Sequence, residues 1–163
     1  MIQNVEAKNT IDDCNAELSR IAGIINKVGS TDPLSGYLTK YSLIRICGTL
    51  EMSYKTIIAD YYENIAPQLG PYITCHLRDA SMNPTYGNIC TALGHFDTTR
   101  KKDFKDAVDA LNNKDNLIRA FDVLNRERNN VAHGYSSNLS FKDMSNHFLE
   151  TIQILEALDS VMI

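Results

Sequence analysis

Apolar residues recur at steps of three or four positions along most of this 163-residue chain. Such steps place residues on one stripe of an α-helix, because each helical residue advances by about 100° around the axis. The clearest stripe comprises Leu43, Ile46, Leu50, Tyr54, Ile57 and Tyr61. Strand signals, which would show as alternating apolar and polar residues, are absent from the sequence. The pattern therefore predicts an all-α fold.

Turn and capping residues divide this pattern into a bundle of about five to seven helices. Helices are predicted over residues 2–28, 37–64, 86–96, 99–111, 115–133 and 140–163, with a shorter one over 72–80. Gly29 and Gly134 stand where helix C-caps are expected, and Ser140 with Asp143 forms an S-x-x-D capping box. The run GSTDPLSG, residues 29–36, is predicted to be a loop. No long linker is present, so residues 1–163 are predicted to form a single domain.

Apolar residues at helical spacing also mark the first and the last helix. The first helix is indicated by Val5, Ile11, Leu18, Ile21, Ile25 and Val28. The last helix is predicted to bury Phe141, Met144, Phe148, Ile152, Leu155, Leu158 and Met162. Both sets follow helical spacing over the whole length of their segment.

Charge and cysteine spacing exclude several functional classes. Twenty acidic and sixteen basic side chains give a net charge of −4, which argues against a broad, sequence-independent nucleic-acid binder. The four cysteines form no C-x-x-C pair and no zinc-finger spacing with histidine, so no metal or other cofactor is predicted. The N-terminus lacks a signal-like apolar segment, and no apolar run is long enough to cross a bilayer. We expect a cytoplasmic protein with reduced cysteines and no membrane partner.

One arginine interrupts the apolar stripe of the helix predicted over residues 115–133. That stripe contains Leu117, Phe121, Leu124, Arg128 and Val131. A guanidinium in an apolar seam costs several kcal/mol unless it is paired, solvated or presented to an anion. Arg128 therefore reaches solvent at the helix end, pairs with a buried carboxylate such as Glu51, or binds an anionic ligand. Half of the sixteen basic side chains lie in residues 97–128, which leaves room for a small local anion site.

His133 lies five residues after Arg128, in the last turn of the same predicted helix. An ideal helix places these two side chains about 140° apart, so it does not aim both at one point. Either the helix end loosens or a second chain brings the groups together. The negative end of the helix dipole favours imidazolium, although a polar cap is the alternative role for this histidine. Asn129, Asn130 and Tyr135 surround the pair with hydrogen-bonding groups and complete a set suited to anion binding.

The run RNNVAHG, residues 128–134, resembles the motif of the HEPN superfamily, in which four to six residues separate an arginine from a histidine. Its position at the end of the penultimate long helix, before a final amphipathic helix, also resembles that superfamily. Residues 43–51, which end in Glu51, resemble the helix in which HEPN proteins of the RiboL-PSP and MAE_28990 types carry an acidic residue. The resemblance extends from about Tyr37 to the C-terminus and implies an HEPN-like helical bundle.

The resemblance implies a metal-independent endoribonuclease that cleaves single-stranded RNA at a composite site, where the motifs of two protomers meet across a homodimer. Arg128 would hold the scissile phosphate, and His133 would act as general acid or base. Asn129 would position the substrate or a motif side chain. Glu51 would orient Arg128 or His133, the alternative being a carboxylate on the helix surface.

Further candidate contacts follow from the same resemblance. Tyr135, Asn130 and Arg126 are the candidate substrate-binding residues beside the motif. An isologous dimer is the commonest oligomer, and the stripe of Phe121, Leu124 and Val131 is expected to supply its apolar contact.

Two other interpretations stay open at the level of the sequence. A non-catalytic HEPN-like module would bind a nucleotide, RNA or a partner protein through Arg128 and His133 without turnover. A purely structural bundle would leave the position of Arg128 unexplained. Both motif residues are present and Gly134 follows them, which favours catalysis. An active ribonuclease in the cytoplasm needs restraint, so the resemblance also implies a toxin or phage-defence effector with a cognate antitoxin or sensor protein.

Overall fold

A computed structural model describes residues 1–163 as seven α-helices without a strand. The helices are α1 (Val5–Val28), α2 (Pro33–Ile65), α3 (Gly70–Ile73), α4 (Tyr86–Phe96), α5 (Thr98–Asp109), α6 (Lys114–Ala132) and α7 (Phe141–Val161). They share one continuous hydrophobic core that draws side chains from every helix. The predicted all-α class and number of helices are therefore confirmed. No helix of the bundle combines the length and apolarity that a bilayer span requires.

Helix α2 is the longest and packs against α1, α6 and α7. Its predicted stripe lies in the core, with Tyr61 half-buried and the other members buried. In α1 the apolar stripe leaves the core at both ends, because Val5 and Val28 are 70% and 41% exposed. The small residues Ala7 and Cys14 are buried instead. They continue the stripe of Ile11 and Leu18 at helical spacing, and a pattern built from large side chains alone overlooks them.

The start of α2 also differs from the prediction. The predicted loop over residues 29–36 is too long, because the helix begins at Pro33. Proline is suited to the first helical position because its fixed φ is already helical and its missing N–H has no partner to lose there. Asp32 caps the helix, since its Oδ1 accepts a hydrogen bond of 2.8 Å from the Leu34 N–H. Only residues 29–32 form the turn between α1 and α2.

The chain between α2 and α4 is a series of short turns. A 3₁₀ turn over Pro67–Leu69 leads into α3, and a π-helical turn over Thr74–Arg78 follows. The short helix predicted over 72–80 overlaps these turns without matching their bounds. Residues 79–85, which we call the 79–85 connection, then return along α2 to the start of α4.

The segment that follows α6 lies beside the N-terminal part of α2. The segment that follows α6 places Leu139 and Ser140 in a small cavity together with Ser35, Thr39 and Lys40 of α2. Ser140 then caps α7, with its Oγ accepting a hydrogen bond of 3.1 Å from the Asp143 N–H. The predicted start of the last helix is confirmed, and its predicted inward stripe is buried or half-buried throughout.

Candidate active site

The RNNVAHG motif, residues 128–134, begins in the second half of α6 and ends two residues after the helix. Leu117, Phe121 and Leu124 are buried, whereas Arg128 is half-buried. Val131, the last member of the stripe, packs against the edge of the core. Arg128 therefore marks the point at which the stripe leaves the core and meets solvent.

One terminal nitrogen of Arg128, Nη1, makes both hydrogen bonds of that side chain. It donates to Oδ1 of Asn83 at 3.3 Å and to Oδ1 of Asn129 at 3.1 Å. Both acceptors are neutral amides, so they hold the guanidinium without cancelling its charge. Nε and Nη2 have no acceptor within the chain. These two nitrogens form one edge of the guanidinium, and an arginine edge of this kind has the geometry for two parallel hydrogen bonds to a phosphate or carboxylate.

Arg128 differs from the other half-buried arginines in having no acidic partner. Each of the other three has a carboxylate oxygen within 3.9 Å of its guanidinium. The pairs are Arg45 with Glu17, Arg78 with Asp60 and Glu63, and Arg100 with Asp103. A charge that is partly removed from water and left unpaired is costly, and an anionic ligand offsets that cost.

The charge of Arg128 also acts on the buried thiol of Cys47 in α2. Burial raises the pKa of Cys47 to about 12, and the nearby guanidinium of Arg128 opposes part of that rise. The Cys47 Sγ donates a hydrogen bond of 3.7 Å to the carbonyl of Leu124, one turn before Arg128. Helices α2 and α6 are therefore in contact at the level of the motif.

Helix α6 ends immediately before His133 in a Schellman motif. The Tyr135 N–H donates to the Asn130 carbonyl at 2.8 Å, and the Gly134 N–H donates to the Val131 carbonyl at 3.1 Å. Gly134 has a φ of +81°, a left-handed conformation that glycine adopts without strain. The helix stays regular up to this point, so it does not loosen to bring His133 towards Arg128. The His133 ring is exposed and makes no hydrogen bond within the chain.

Glu127 lies beside the motif, and no local feature of the sequence marks it as a site residue. Its side chain is 5% exposed, and it accepts hydrogen bonds from the Ser137 hydroxyl, the Asn138 N–H and Arg126 Nε. Burial alone would raise the pKa of Glu127, but these hydrogen bonds outweigh it and leave the pKa below the usual value. The carboxylate therefore anchors the segment that follows His133.

Glu51 contacts neither Arg128 nor His133. Its Oε1 accepts a hydrogen bond of 2.6 Å from Lys55 Nζ and one of 3.2 Å from the Met82 N–H. The expected direct orientation of a motif side chain by Glu51 is not seen in the single chain. Met82 immediately precedes Asn83, which contacts Arg128, so Glu51 is linked to the motif through the 79–85 connection.

The three candidate substrate-binding residues lie at different positions around the motif. The Arg126 side chain is 64% exposed and its Nε lies 3.3 Å from Glu127 Oε1. Tyr135 is 69% exposed. Asn130 is half-buried, and its backbone carbonyl closes the Schellman motif. Asn130 and Tyr135 lie three residues before and two residues after His133 in the chain, while Arg126 contacts Glu127.

A family model described as RiboL-PSP-HEPN matches residues 9–163 of the chain. The chain belongs to the RiboL-PSP-HEPN family. Neither a curated protein nor a solved structure gives a match. The resemblance that the sequence carried from about Tyr37 onward is confirmed, and the match extends it to most of α1.

The apolar stripe of α6 does not form a contact surface in this HEPN domain. Phe121 and Leu124 are 0% and 1% exposed, because α6 packs that face against α2 and α7. The expectation that they supply a dimer contact is therefore wrong. Nor does the HEPN domain bring three His, Cys, Asp or Glu side chains close enough together to hold a metal ion.

Proposed function

We propose that this HEPN domain is a metal-independent endoribonuclease that cleaves single-stranded RNA at a composite site formed by two copies of the chain. The observation that carries the proposal is the unpaired charge of Arg128. It is the only half-buried arginine without a carboxylate partner, and neutral amides leave one edge of its guanidinium free. An exposed histidine lies five residues further along the same helix end.

RNA supplies its own nucleophile, so the protein has three tasks. A base takes the proton of the ribose 2′-OH, and the oxygen attacks the adjacent phosphorus. The bond from phosphorus to the 5′-oxygen then breaks, and an acid protonates that oxygen, which leaves a 2′,3′-cyclic phosphate. Arg128 binds the phosphate and stabilises the charge that grows on its oxygens in the transition state. His133 acts as the general acid or base.

A second copy completes the site because one chain does not aim Arg128 and His133 at the same point. The face that we propose for the dimer lies on α2, next to the motif. It consists of the exposed residues Tyr41, Ile44, Gly48 and Met52. Ile44 and Gly48 flank Cys47, which lies beside Arg128. Exposed apolar side chains at helical spacing are typical of a surface that packs against another helix.

The decisive experiment incubates the purified chain with a single-stranded RNA in the presence of EDTA and identifies the new ends. We expect cleavage with 2′,3′-cyclic phosphate ends and losses of at least about a hundredfold in Arg128→Ala and His133→Ala. Arg119→Ala and His95→Ala are the matched controls, because both side chains are exposed and lie outside the motif. Full activity in either motif variant, or binding of RNA without turnover, would contradict the proposal.

We also propose that the enzyme acts as a toxin or phage-defence effector held in check by a cognate antitoxin or sensor protein. An unrestrained ribonuclease damages its own host, which supports the need for an inhibitor. Induced expression in bacteria tests this role directly. Growth arrest by the wild type and normal growth with His133→Ala are expected, and equal growth with both would contradict it.

A further inference from the structure

We infer that Asn83 is a positioning residue that holds Arg128 in the orientation needed to bind phosphate, an inference that rests on the proposed ribonuclease function. Asn83 is exposed and lies in the 79–85 connection, 45 residues before Arg128 in the chain. The one side-chain hydrogen bond that it makes is the one accepted from Arg128 Nη1 at 3.3 Å. Asn129, the other acceptor, is the sequence neighbour of Arg128 and lies on the same helix, so Asn83 alone ties the guanidinium to a different element.

The 79–85 connection is suited to this task because its backbone is fixed at successive residues. Lys55 Nζ donates to the carbonyl of Ala80, and the Tyr54 hydroxyl donates to that of Met82 at 3.3 Å. The Asn88 side chain donates to the carbonyl of Asn83 at 2.8 Å. The Asn125 side chain donates to the carbonyl of the buried Pro84. Helices α2, α4 and α6 therefore hold the backbone on both sides of Asn83.

The ion pair of Glu51 and Lys55 is the centre of this attachment. Lys55 is 8% exposed at its side chain and Glu51 is 21% exposed, and they lie one turn apart on α2. Lys55 donates to the carbonyl of Ala80, whereas Glu51 accepts from the Met82 N–H at 3.2 Å. Each partner thus neutralises the charge of the other and also forms a hydrogen bond with the backbone of the 79–85 connection. Glu51 acts on the motif through this connection.

The chemical identity of Asn83 matters because its acceptor is neutral. An amide oxygen fixes Nη1 of Arg128 and leaves the full positive charge for the substrate. A carboxylate at the same place would hold the guanidinium more strongly, but it would compete with phosphate for the charge. Asparagine therefore provides orientation without neutralisation.

Substitution of Asn83 separates this role from a purely structural one. Asn83→Ala removes the acceptor, and Asn83→Asp keeps the shape while adding a negative charge. We expect kcat/KM for RNA cleavage to fall by roughly tenfold in Asn83→Ala and further in Asn83→Asp. The aspartate variant should show the larger rise in KM, since its carboxylate pairs with Arg128. Asn116→Asp on the exposed start of α6 adds the same charge away from the motif and should leave kcat/KM unchanged.

The relative activities of Asn83→Ala and Asn83→Asp distinguish a positioning role from a purely structural one. If Asn83 matters only because the shape of its side chain supports the 79–85 connection, Asn83→Asp will retain more activity than Asn83→Ala. That result overturns the inference. Wild-type activity in Asn83→Ala also overturns it. Both variants should keep the melting temperature of the wild type, because the exposed side chain contributes no packing.

Failure of the ribonuclease proposal gives a different result. If the wild type cleaves no RNA, the position of Arg128 is still accessible through the NMR signal of its Nε–H group. A shifted or broadened signal in Asn83→Ala, with the Nε–H signal of Arg45 unchanged, supports the positioning role without the reaction. An unchanged Arg128 signal overturns the role whether or not the chain cleaves RNA.

Discussion

Glu127 and Arg128 are neighbours in the chain with opposite electrostatic surroundings. Consecutive helical residues point about 100° apart, so their side chains face different parts of the molecule. Glu127 accepts hydrogen bonds from Arg126 on α6 and from Ser137 and Asn138 in the segment that follows α6. Because these donors engage its carboxylate, the nearest acidic group in the sequence is not an ion-pair partner of Arg128. Glu127 is therefore engaged by other donors and does not neutralise Arg128.

Glu127→Gln tests this arrangement through the pH dependence of stability. The pKa of Glu127 lies below its usual value of 4.5, so its carboxylate stabilises the fold above that pH. The contribution is lost as the pH falls through the lowered pKa. At pH 7 we expect the variant to lower the free energy of unfolding by about 1–2 kcal/mol. The difference from the wild type should shrink as the pH falls below 4.5.

Urea unfolding of both proteins across this pH range provides the measurement. Asp122→Asn is the control, because Asp122 is exposed on the same helix and forms no ion pair. It should change stability by no more than about 0.5 kcal/mol. A difference between Glu127→Gln and the wild type that grows at low pH would contradict the assignment.

At the scale of the helix, the way in which α6 ends determines the position of His133. The left-handed conformation of Gly134 allows Tyr135 N–H to reach back to the Asn130 carbonyl and ends the helix at the motif. An added Cβ at Gly134 would meet no atom within 4 Å, so only backbone strain opposes a side chain there. The glycine is therefore required by its conformation and not by space.

Gly134→Ala should lower the free energy of unfolding by about 1–2 kcal/mol, because an L-residue is strained in the left-handed region. Gly23→Ala in α1 is the control of opposite sign. It also has open space around the added Cβ but helical backbone, so it should raise stability by roughly 0.5–1 kcal/mol. Thermal unfolding of both variants measures the contrast, and equal effects would show that the helix end is not held in the left-handed form.

The attachment of the 79–85 connection to α2 gives a second prediction at this scale. Lys55→Met leaves the Glu51 carboxylate without its cation and the carbonyl of Ala80 without its donor. Breaking a buried pair in this way should cost about 3–5 kcal/mol. Lys8→Met breaks an exposed pair with Asp12 at the same i, i+4 spacing and should cost about 0.5 kcal/mol or less.

Hydrogen exchange at Met82 provides a local measurement for this comparison. Its N–H should exchange faster in Lys55→Met and at the wild-type rate in Lys8→Met. Unchanged protection at Met82 in Lys55→Met would show that the ion pair does not hold the connection.

The regular elements could be predicted from the sequence, whereas the contacts between distant segments could not. Helix α4 matches its predicted bounds of 86–96, because its apolar spacing and flanking turn residues agree. The prediction is wrong for the first turn of α2, because residues such as Asp32 and Pro33 occur both in loops and at helix starts. The sequence around Asn83 does not indicate its proposed role, because that role depends on a hydrogen bond to a residue 45 positions away. Arg128 was identifiable because its charge breaks a local pattern.

Part of the positive charge of the molecule is engaged in contacts away from the motif. Several of the basic side chains in residues 97–128 contact groups outside the motif. Arg100 donates to the Tyr61 hydroxyl and the Val161 carbonyl, and Lys114 pairs with Asp109. Helix α5 packs against α4 and α7. The net charge of −4 is therefore consistent with a site that depends on few cations. Two copies of Arg128 at a two-fold axis would double the charge available to one substrate.

Subunit complementation tests whether the site is shared between two chains. Arg128→Ala and His133→Ala are co-expressed with different tags, and the mixed dimer is purified through both tags in turn. One of its two reciprocal sites combines the intact Arg128 of one chain with the intact His133 of the other. We therefore expect about half of the wild-type cleavage rate, although each variant is inactive alone. Ile44→Asp in both chains places charge in the proposed α2 face and should abolish mixed-dimer formation and the restored activity together. A mixed dimer that forms and stays inactive would place both residues of each site in the same chain.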